Sequence, residues 1–420
     1  MSERPLYYLV STAGIPNLGD ELIAATWVKY LAEHAPEADV LLDCVDPAAV
    51  VAPLRSMHPR LRLVSTLWQL CFRNWSAGLG AADAVQAAVA DPRQAADLHN
   101  GIDLLRRADV VHLTGGGFLN SMWPAFTGLL SGIVAATEHS GGRAAMTGVG
   151  LTPPAAGSED RIRALAARFA VADVRDTASA GLLGDPAALS CDDVFLYPHS
   201  WRDQESADLP DVMVSVQFTL RPTALFPPGA GTEPAADGPG AAARERAAQR
   251  GMSGLLALVS KAVADWGARE VGVLECWPDA DRDVLEATRS ALPRTRLFTL
   301  EDVLRRGFPA RPGQAWFSTR FHPHLLAAAA GASGVAVSLR DDYYGTKHRS
   351  LTDHGSPWAV ARCDVLGPEA PAVPQRPVAG GYRPAQLDAH QAAKRRVAER
   401  IYGFGPAAGP GPDGGPGAAL

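Results

Sequence analysis

Short apolar runs alternate along the chain with stretches in which apolar residues recur every three or four positions. That pattern predicts β-strands joined by amphipathic helices. Residues 6–12 (LYYLVST) read as a buried strand, and Ile23, Trp27, Tyr30, Leu31 and His34 follow as one stripe of a helix whose expected N-cap is Asp20. Residues 40–44, 62–65, 110–114 and 144–149 continue the strands, with a helix expected over about 160–170. After Pro198 the pattern restarts: strand 211–220, helix 254–266, strand 270–275, helix 280–292 and a strand near 296–299. Residues 315–319 (AWFST) form a further strand, followed by a helix over 324–330 and a strand over 335–339. Strands alternating with helices in this way place the chain in the α/β class, with parallel sheets covered by helices.

Composition sets the scale. A chain of 420 residues predicts two to three domains, and 47% apolar with 20% charged residues is enough to build full cores. The expected boundaries are 1–205 and 206–360, then a C-terminal segment 361–404 whose helix 384–402 packs back through Ala393, Val397 and Ile401. Residues 227–243 and 405–420 are almost wholly Ala, Gly, Pro and acidic residues, so they are expected as a flexible insertion and a disordered tail.

Lys and Arg number 39 against 45 Asp and Glu, a net charge of −6, and no long basic run occurs, which argues against a nucleic-acid partner. The N-terminus lacks the pattern of a signal peptide. The weakly apolar stretch 325–339 is interrupted by Gly331 and Gly334 and is short for a transmembrane segment. A cytoplasmic enzyme or binding protein is therefore expected. Five scattered cysteines without a C-x-x-C pair exclude a zinc ribbon and a disulfide framework, leaving reduced thiols.

Three loops carry candidate chemistry, because ligands of open parallel sheets collect outside the carboxyl ends of the strands, near helix N-termini. In 13–21 (AGIPNLGDE), Gly14 and Gly19 permit close backbone approach and Asn17, Asp20 and Glu21 add polar groups; a plain turn with an Asp cap is the alternative. Gly115, Gly116 and Gly117 follow the strand 110–114 and either turn their amides toward a ligand or make a tight strand exit. Arg320 and His322 stand where the strand 315–319 gives way to a helix whose first turn accommodates Pro323. A guanidinium, an imidazole and helix-start amides together suit a carboxylate or phosphate, whereas the bland reading pairs Arg320 with a surface carboxylate and buries His322 in the core. His322, His324, His348 and His354 do not read as a metal site: an H-x-H pair at a helix start diverges, and no Cys or carboxylate completes a tetrahedron.

At these residues the sequence resembles the polysaccharide pyruvyl transferase family. The resemblance rests on Asn17-Leu18-Gly19-Asp20-Glu21, on Gly115-Gly116-Gly117-Phe118-Leu119 and on Val174 to Ser179 (VRDTAS) with Asp192 and Asp193. It also rests on residues 318–347, which follow the family's S-x-R-x-H pattern through to a Tyr and a Lys. Two departures are visible: Ser333-Gly334 replaces the usual Gly-Pro, and residues 340–344 (RDDYY) are longer than the common segment before the Lys.

The resemblance implies a GT-B-like fold of two Rossmann-like parallel-sheet domains facing a central cleft, the N-terminal one on the acceptor side and the C-terminal one on the donor side. It implies transfer of a pyruvyl group from phosphoenolpyruvate to sugar hydroxyls as a ketal, with no metal, nicotinamide or flavin cofactor. Arg320 and Arg221 are the expected clamps on the donor, joined by Phe321 and Lys347, with Lys347 otherwise an exposed loop residue. His322 is the expected acid, and later base. Asn17, Gly19, Asp20, Glu21 and Gly115 to Gly117 are expected on the acceptor side, where Trp75 and Trp123 either stack on a sugar or pack in the core. A GT-B nucleotide-sugar glycosyltransferase and a non-catalytic carbohydrate-binding relative are the alternatives. The first usually places a Glu at the donor-side helix start, a position that is His324 here, with no carboxylate through Gly331.

Overall fold

The strands assemble because their residues are apolar on both faces, as a sheet covered by helices on each side requires. LYYLV, VVHL, VMVS and AWFS are buried almost throughout. The computed structural model describes residues 4–185, 187–201, 208–217, 241–292, 294–338, 345–363 and 372–404. Arg221, most of the expected insertion, residues 340–344 and the 405–420 tail lie outside the described residues.

The described residues form two compact units: those up to Tyr197 together with 389–404, and those of Pro198–Asp388. In the first, β1 (Leu6–Val10), β2 (Asp39–Asp43), β3 (Leu61–Val64), β4 (Val110–Leu113), β5 (Arg143–Val149), β6 (Val171–Val174) and β7 (Ala188–Leu189) form a sheet in the order β3-β2-β1-β4-β5-β6-β7. In the second, β8 (Val212–Ser215), β9 (Val271–Leu274), β10 (Thr295–Phe298), β11 (Ala315–Ser318), β12 (Ser333–Ser338) and β13 (Ala359–Arg362) run β10-β9-β8-β11-β12-β13. All these pairings are parallel.

Both sheets start in the middle, wind to one edge, and return to continue on the other side, so each has one point where the winding reverses. It lies between β1 and β4 in the first unit and between β8 and β11 in the second. These are two Rossmann-like α/β sheets in one chain, the GT-B-like class expected. The core of the second packs Val212, Val214, Val273, Phe317, Val335 and Val337 against Leu255, Val259 and Val263 of the helix Ala241–Asp265.

The first helix spans Leu18–His34, and its N-cap is Asn17, not Asp20. Asn17 has the extended backbone a cap requires, and its side chain accepts the Gly19 N–H at 3.2 Å. Asp20 lies inside the first turn, where its carboxylate accepts the Thr12 hydroxyl at 2.8 Å. The five cysteines are free and buried. Among the described residues, no helix is long and apolar enough to cross a membrane.

Candidate active site

In the first unit, β1 and β4 lie side by side, so the loops that leave their carboxyl ends are neighbours at the reversal point. They carry Asn17 and Gly115 to Gly117, and the first turn of the helix Leu18–His34 adds Gly19, Asp20 and Glu21; these are the residues expected on the acceptor side. A side chain at Gly116 would begin 3.8 Å from Thr12 Oγ1, which itself holds Asp20.

Much of this polar equipment serves the loops themselves. Glu21 is fully buried and accepts the Gly14 N–H at 2.9 Å. Burial pushes its carboxyl up to about 7. Gly14 has a φ of 83°, and a Cβ there would stand 2.3 Å from the Asp46 carbonyl oxygen, so the turn requires glycine. The Gly115 amide is donated to Asp193 Oδ2 at 2.8 Å, and the Gly117 carbonyl accepts Asn120 Nδ2 at 2.7 Å.

Asp193 is the centre of a buried network beneath the glycine loop. Its Oδ2 also accepts Trp27 Nε1 and the Thr147 hydroxyl, both at 2.7 Å, and its Oδ1 accepts Lys394 Nζ at 2.8 Å. Lys394 bonds Asp173 Oδ2 at 2.6 Å as well, and all three ionisable side chains are fully buried. Burial opposes the lysine's charge, but the two carboxylates outweigh it and raise its pKa. Burial raises the Asp173 carboxyl, against the pull of Lys394.

Because Thr147 gives its single proton to Asp193, His112 Nε2 must donate to Thr147 Oγ1 at 2.8 Å. His112 Nδ1 then accepts from the Tyr402 hydroxyl at 2.8 Å. Burial lowers this imidazole's pKa to about 3, so it is neutral near neutral pH. Trp75 packs edge-on against Phe126 at 5.2 Å, and Trp123 is tilted against the same ring at 6.3 Å.

In the second unit, Arg320 follows β11 at the reversal point and is the N-cap residue of the helix Phe321–Ala329. Its N–H is donated to Ser318 Oγ at 3.0 Å, while that hydroxyl donates to the Arg320 carbonyl at 2.9 Å. Arg320 is 6% exposed, and its guanidinium Nη2 donates to Asp281 Oδ1 in a buried ion pair. The partner is a buried carboxylate, not the surface one of the bland reading.

Phe321 is buried, and its ring meets that of the half-buried His322 edge-on at 5.0 Å. Lys347 is half-buried in the helix Thr346–Asp353, which follows β12. That helix docks on the Phe321–Ala329 helix through His348, whose Nδ1 lies 3.2 Å from His324 Nδ1. His324 in turn stacks on Trp358 at 4.6 Å and shares a 2.7 Å hydrogen bond with Ser356 Oγ. Burial lowers the pKa of His324 well below the ordinary value and that of His348 to about 4. Two of the four histidines weighed as a metal cluster thus form a neutral buried pair. Arg320, Phe321, His322 and Lys347 are carried by the helix starts that follow two adjacent strands, β11 and β12, of one sheet.

Lys394, Asp173 and Asp281 were not anticipated as partners of the site residues. A signal for Lys394 existed: it precedes Val397, Ala398 and Ile401 by three, four and seven positions, which puts a cation on the buried stripe of its helix. Asp281 offered no such signal, since an Asp in the first turns of a helix is ordinary.

A family model described as Polysaccharide pyruvyl transferase matches residues 17–265, more than half of the chain. A search of the curated proteins finds no match. Among solved structures, the chain is similar to an enzyme described as a UDP-N-acetylglucosamine 2-epimerase from Listeria monocytogenes: 11% identity over 96% of this chain and 93% of that one, TM-score 0.48. It is also similar to MnaA of S. aureus solved with UDP, with 10% identity, 95% and 90% coverage and a TM-score of 0.48. The UDP-GlcNAc 2-epimerase of Neisseria meningitidis bound to UDP-GlcNAc gives 11% identity, 84% and 91% coverage and a TM-score of 0.44.

Proposed function

The chain belongs to the polysaccharide pyruvyl transferase family, and from that premise we propose that it transfers a pyruvyl group from phosphoenolpyruvate to two hydroxyls of a sugar or glycoconjugate, forming a ketal. The observation that carries this reading is the placement of Arg320 and His322 in the first turn after β11, at the reversal point of the second sheet. A ligand of such a sheet approaches there. Phosphoenolpyruvate brings a carboxylate and a phosphate, which a buried guanidinium holds in a planar two-point grip.

In the proposed reaction, His322 gives a proton to C3 of the enol, making it a methyl group, as charge develops at C2. One acceptor hydroxyl adds its oxygen to C2, and its proton returns to the imidazole. The second hydroxyl then forms a C–O bond at C2 as the bond from C2 to the phosphate oxygen breaks. Its proton leaves with the phosphate. Arg320, Phe321, Lys347 and Arg221 are assigned to the donor, and Lys347 offsets phosphate charge. The loops around Asn17, Gly19, Asp20 and Glu21, and around Gly115 to Gly117, are assigned to the carbohydrate. Proton transfer and anion binding complete this sequence, so the step calls for no metal or redox cofactor. Five buried, unbridged thiols favour a reducing, cytoplasmic setting.

Titration calorimetry tests the reading. Saturable binding of phosphoenolpyruvate is expected. Saturable binding of a UDP-sugar with none of phosphoenolpyruvate would turn the reading toward a glycosyltransferase, and binding of carbohydrate alone toward a non-catalytic relative.

A further inference from the structure

We propose that Asp281 is the positioning residue for Arg320, a role that rests on the donor-binding reading above. Asp281 lies in the helix Pro278–Ala291, which follows β9, and is 1% exposed. Its Oδ2 accepts the N–H groups of Cys276 at 3.3 Å and Trp277 at 3.0 Å. The carboxylate is therefore fixed by the backbone at the start of its own helix, and its Oδ1 is turned to the Arg320 guanidinium.

The sheet order gives this pair its meaning. β8 lies between β9 and β11, so a guanidinium that starts from the end of β11 and reaches the helix after β9 crosses the carboxyl end of β8. Ser215, at that end of β8, has its hydroxyl 3.4 Å from Sγ of Cys276, whose N–H Asp281 accepts. Asp281 thus holds the cation over the reversal point, where a donor anion would arrive.

Two features separate this arrangement from a stabilising surface bridge. Both partners are buried, so the pair is a costly way to gain stability compared with apolar residues of the same size. Arg320 is also anchored at both ends, by Ser318 on its backbone and by Asp281 on its guanidinium. A long side chain loses much rotamer freedom when a ligand orders it. Here that ordering is already met in the folded chain, which leaves more of the contact energy for donor affinity.

The test uses the full chain and phosphoenolpyruvate as probe. Asp281→Asn keeps the shape and removes the charge, and Asp281→Glu keeps the charge and moves the carboxylate by one methylene. Both are expected to raise the phosphoenolpyruvate Kd by roughly 10- to 100-fold, the scale at which small misplacements act, with near-UV circular dichroism unchanged.

In the wild type, the Arg320 guanidinium resonances, identified by their loss in Arg320→Lys, are expected to be sharp and slowly exchanging before donor is added. This spectroscopic readout is taken on the wild type and needs neither Asp281 variant to fold; Arg320→Lys serves only to assign the resonances. A guanidinium that averages freely in the unliganded wild type overturns the proposal. So does an unchanged Kd in either folded variant while the wild type binds phosphoenolpyruvate. No saturable phosphoenolpyruvate binding by the wild type overturns the reaction reading itself, and this role with it.

Discussion

Lys394 Nζ lies 2.8 Å from Asp193 Oδ1, with both side chains fully buried, and the other oxygen of that carboxylate, Oδ2, accepts the Gly115 amide. The C-terminal helix is thereby tied by charge to the glycine loop of the first sheet. Asp173, at 2.6 Å from the same ammonium, completes a triad of one cation and two carboxylates.

Removing the cation leaves buried carboxylates without compensation. Lys394→Met is expected to cost about 3–5 kcal/mol of unfolding free energy, the scale for breaking a buried ion pair from one side. Denaturant unfolding measures it. A loss below about 1 kcal/mol, the worth of an exposed pair, would show that the triad does not hold the helix.

His112 predicts a pH dependence with a definite sign. Burial holds its folded pKa at about 3, below the ordinary imidazole value of 6.5, so the unfolded chain binds the extra proton first as pH falls. The neutral ring's contribution is fully present above 6.5 and is lost as pH falls toward about 3. Glu21 and Asp43 act oppositely: burial raises them to about 7 and about 6, so their contributions are present at low pH and lost as pH rises through those values. The wild-type curve mixes both signs. The stability difference between wild type and His112→Gln isolates one, and it is expected to shrink steadily as unfolding is measured from pH 7 to pH 4.

For the chemistry, His322→Ala is expected to lower turnover by about 100-fold or more while phosphoenolpyruvate still binds, since general acid catalysis supplies ~100- to 10,000-fold. Phosphate release with a carbohydrate acceptor, alongside calorimetry, separates the two effects. Near-normal turnover removes His322 from the acid role. Arg320→Lys is expected to weaken donor binding, because an ammonium lacks the planar fork, and an unchanged affinity refutes that assignment.

Gly14→Ala is expected to destabilise the first unit by roughly 1–3 kcal/mol, because a non-glycine residue is strained at positive φ. The Cβ would also meet the Asp46 carbonyl oxygen at 2.3 Å, so the segment around Asp46 must shift. Thermal unfolding reads the loss, and a melting curve matching the wild type would show that the turn relaxes freely.

Most of the fold was legible because its signals are local. The runs around Leu6, Val110, Val212 and Ala315 became the four strands that flank the reversal points; three end within two residues of their expected ends, whereas the strand expected over 211–220 ends at Ser215. The loops after three of them held the glycines, the Asn17 motif and Arg320 where strand-to-helix logic puts them. Less legible were short strands such as Ala188–Leu189, too brief to carry a period, and the helix cap, where Asn17 and Asp20 are equally good candidates by residue type.

Sequence alone determined the α/β class, the positions of the candidate loops and the residue types they present, because hydrophobic period and turn chemistry are set by neighbours along the chain. Tertiary structure decided the partners. Asp281 meets Arg320 across 39 positions and Lys394 meets Asp193 across 201, and Glu21 is enclosed beneath its own loop. Desolvation makes a buried charge seek an opposite one wherever the fold brings it, and no local pattern encodes that choice.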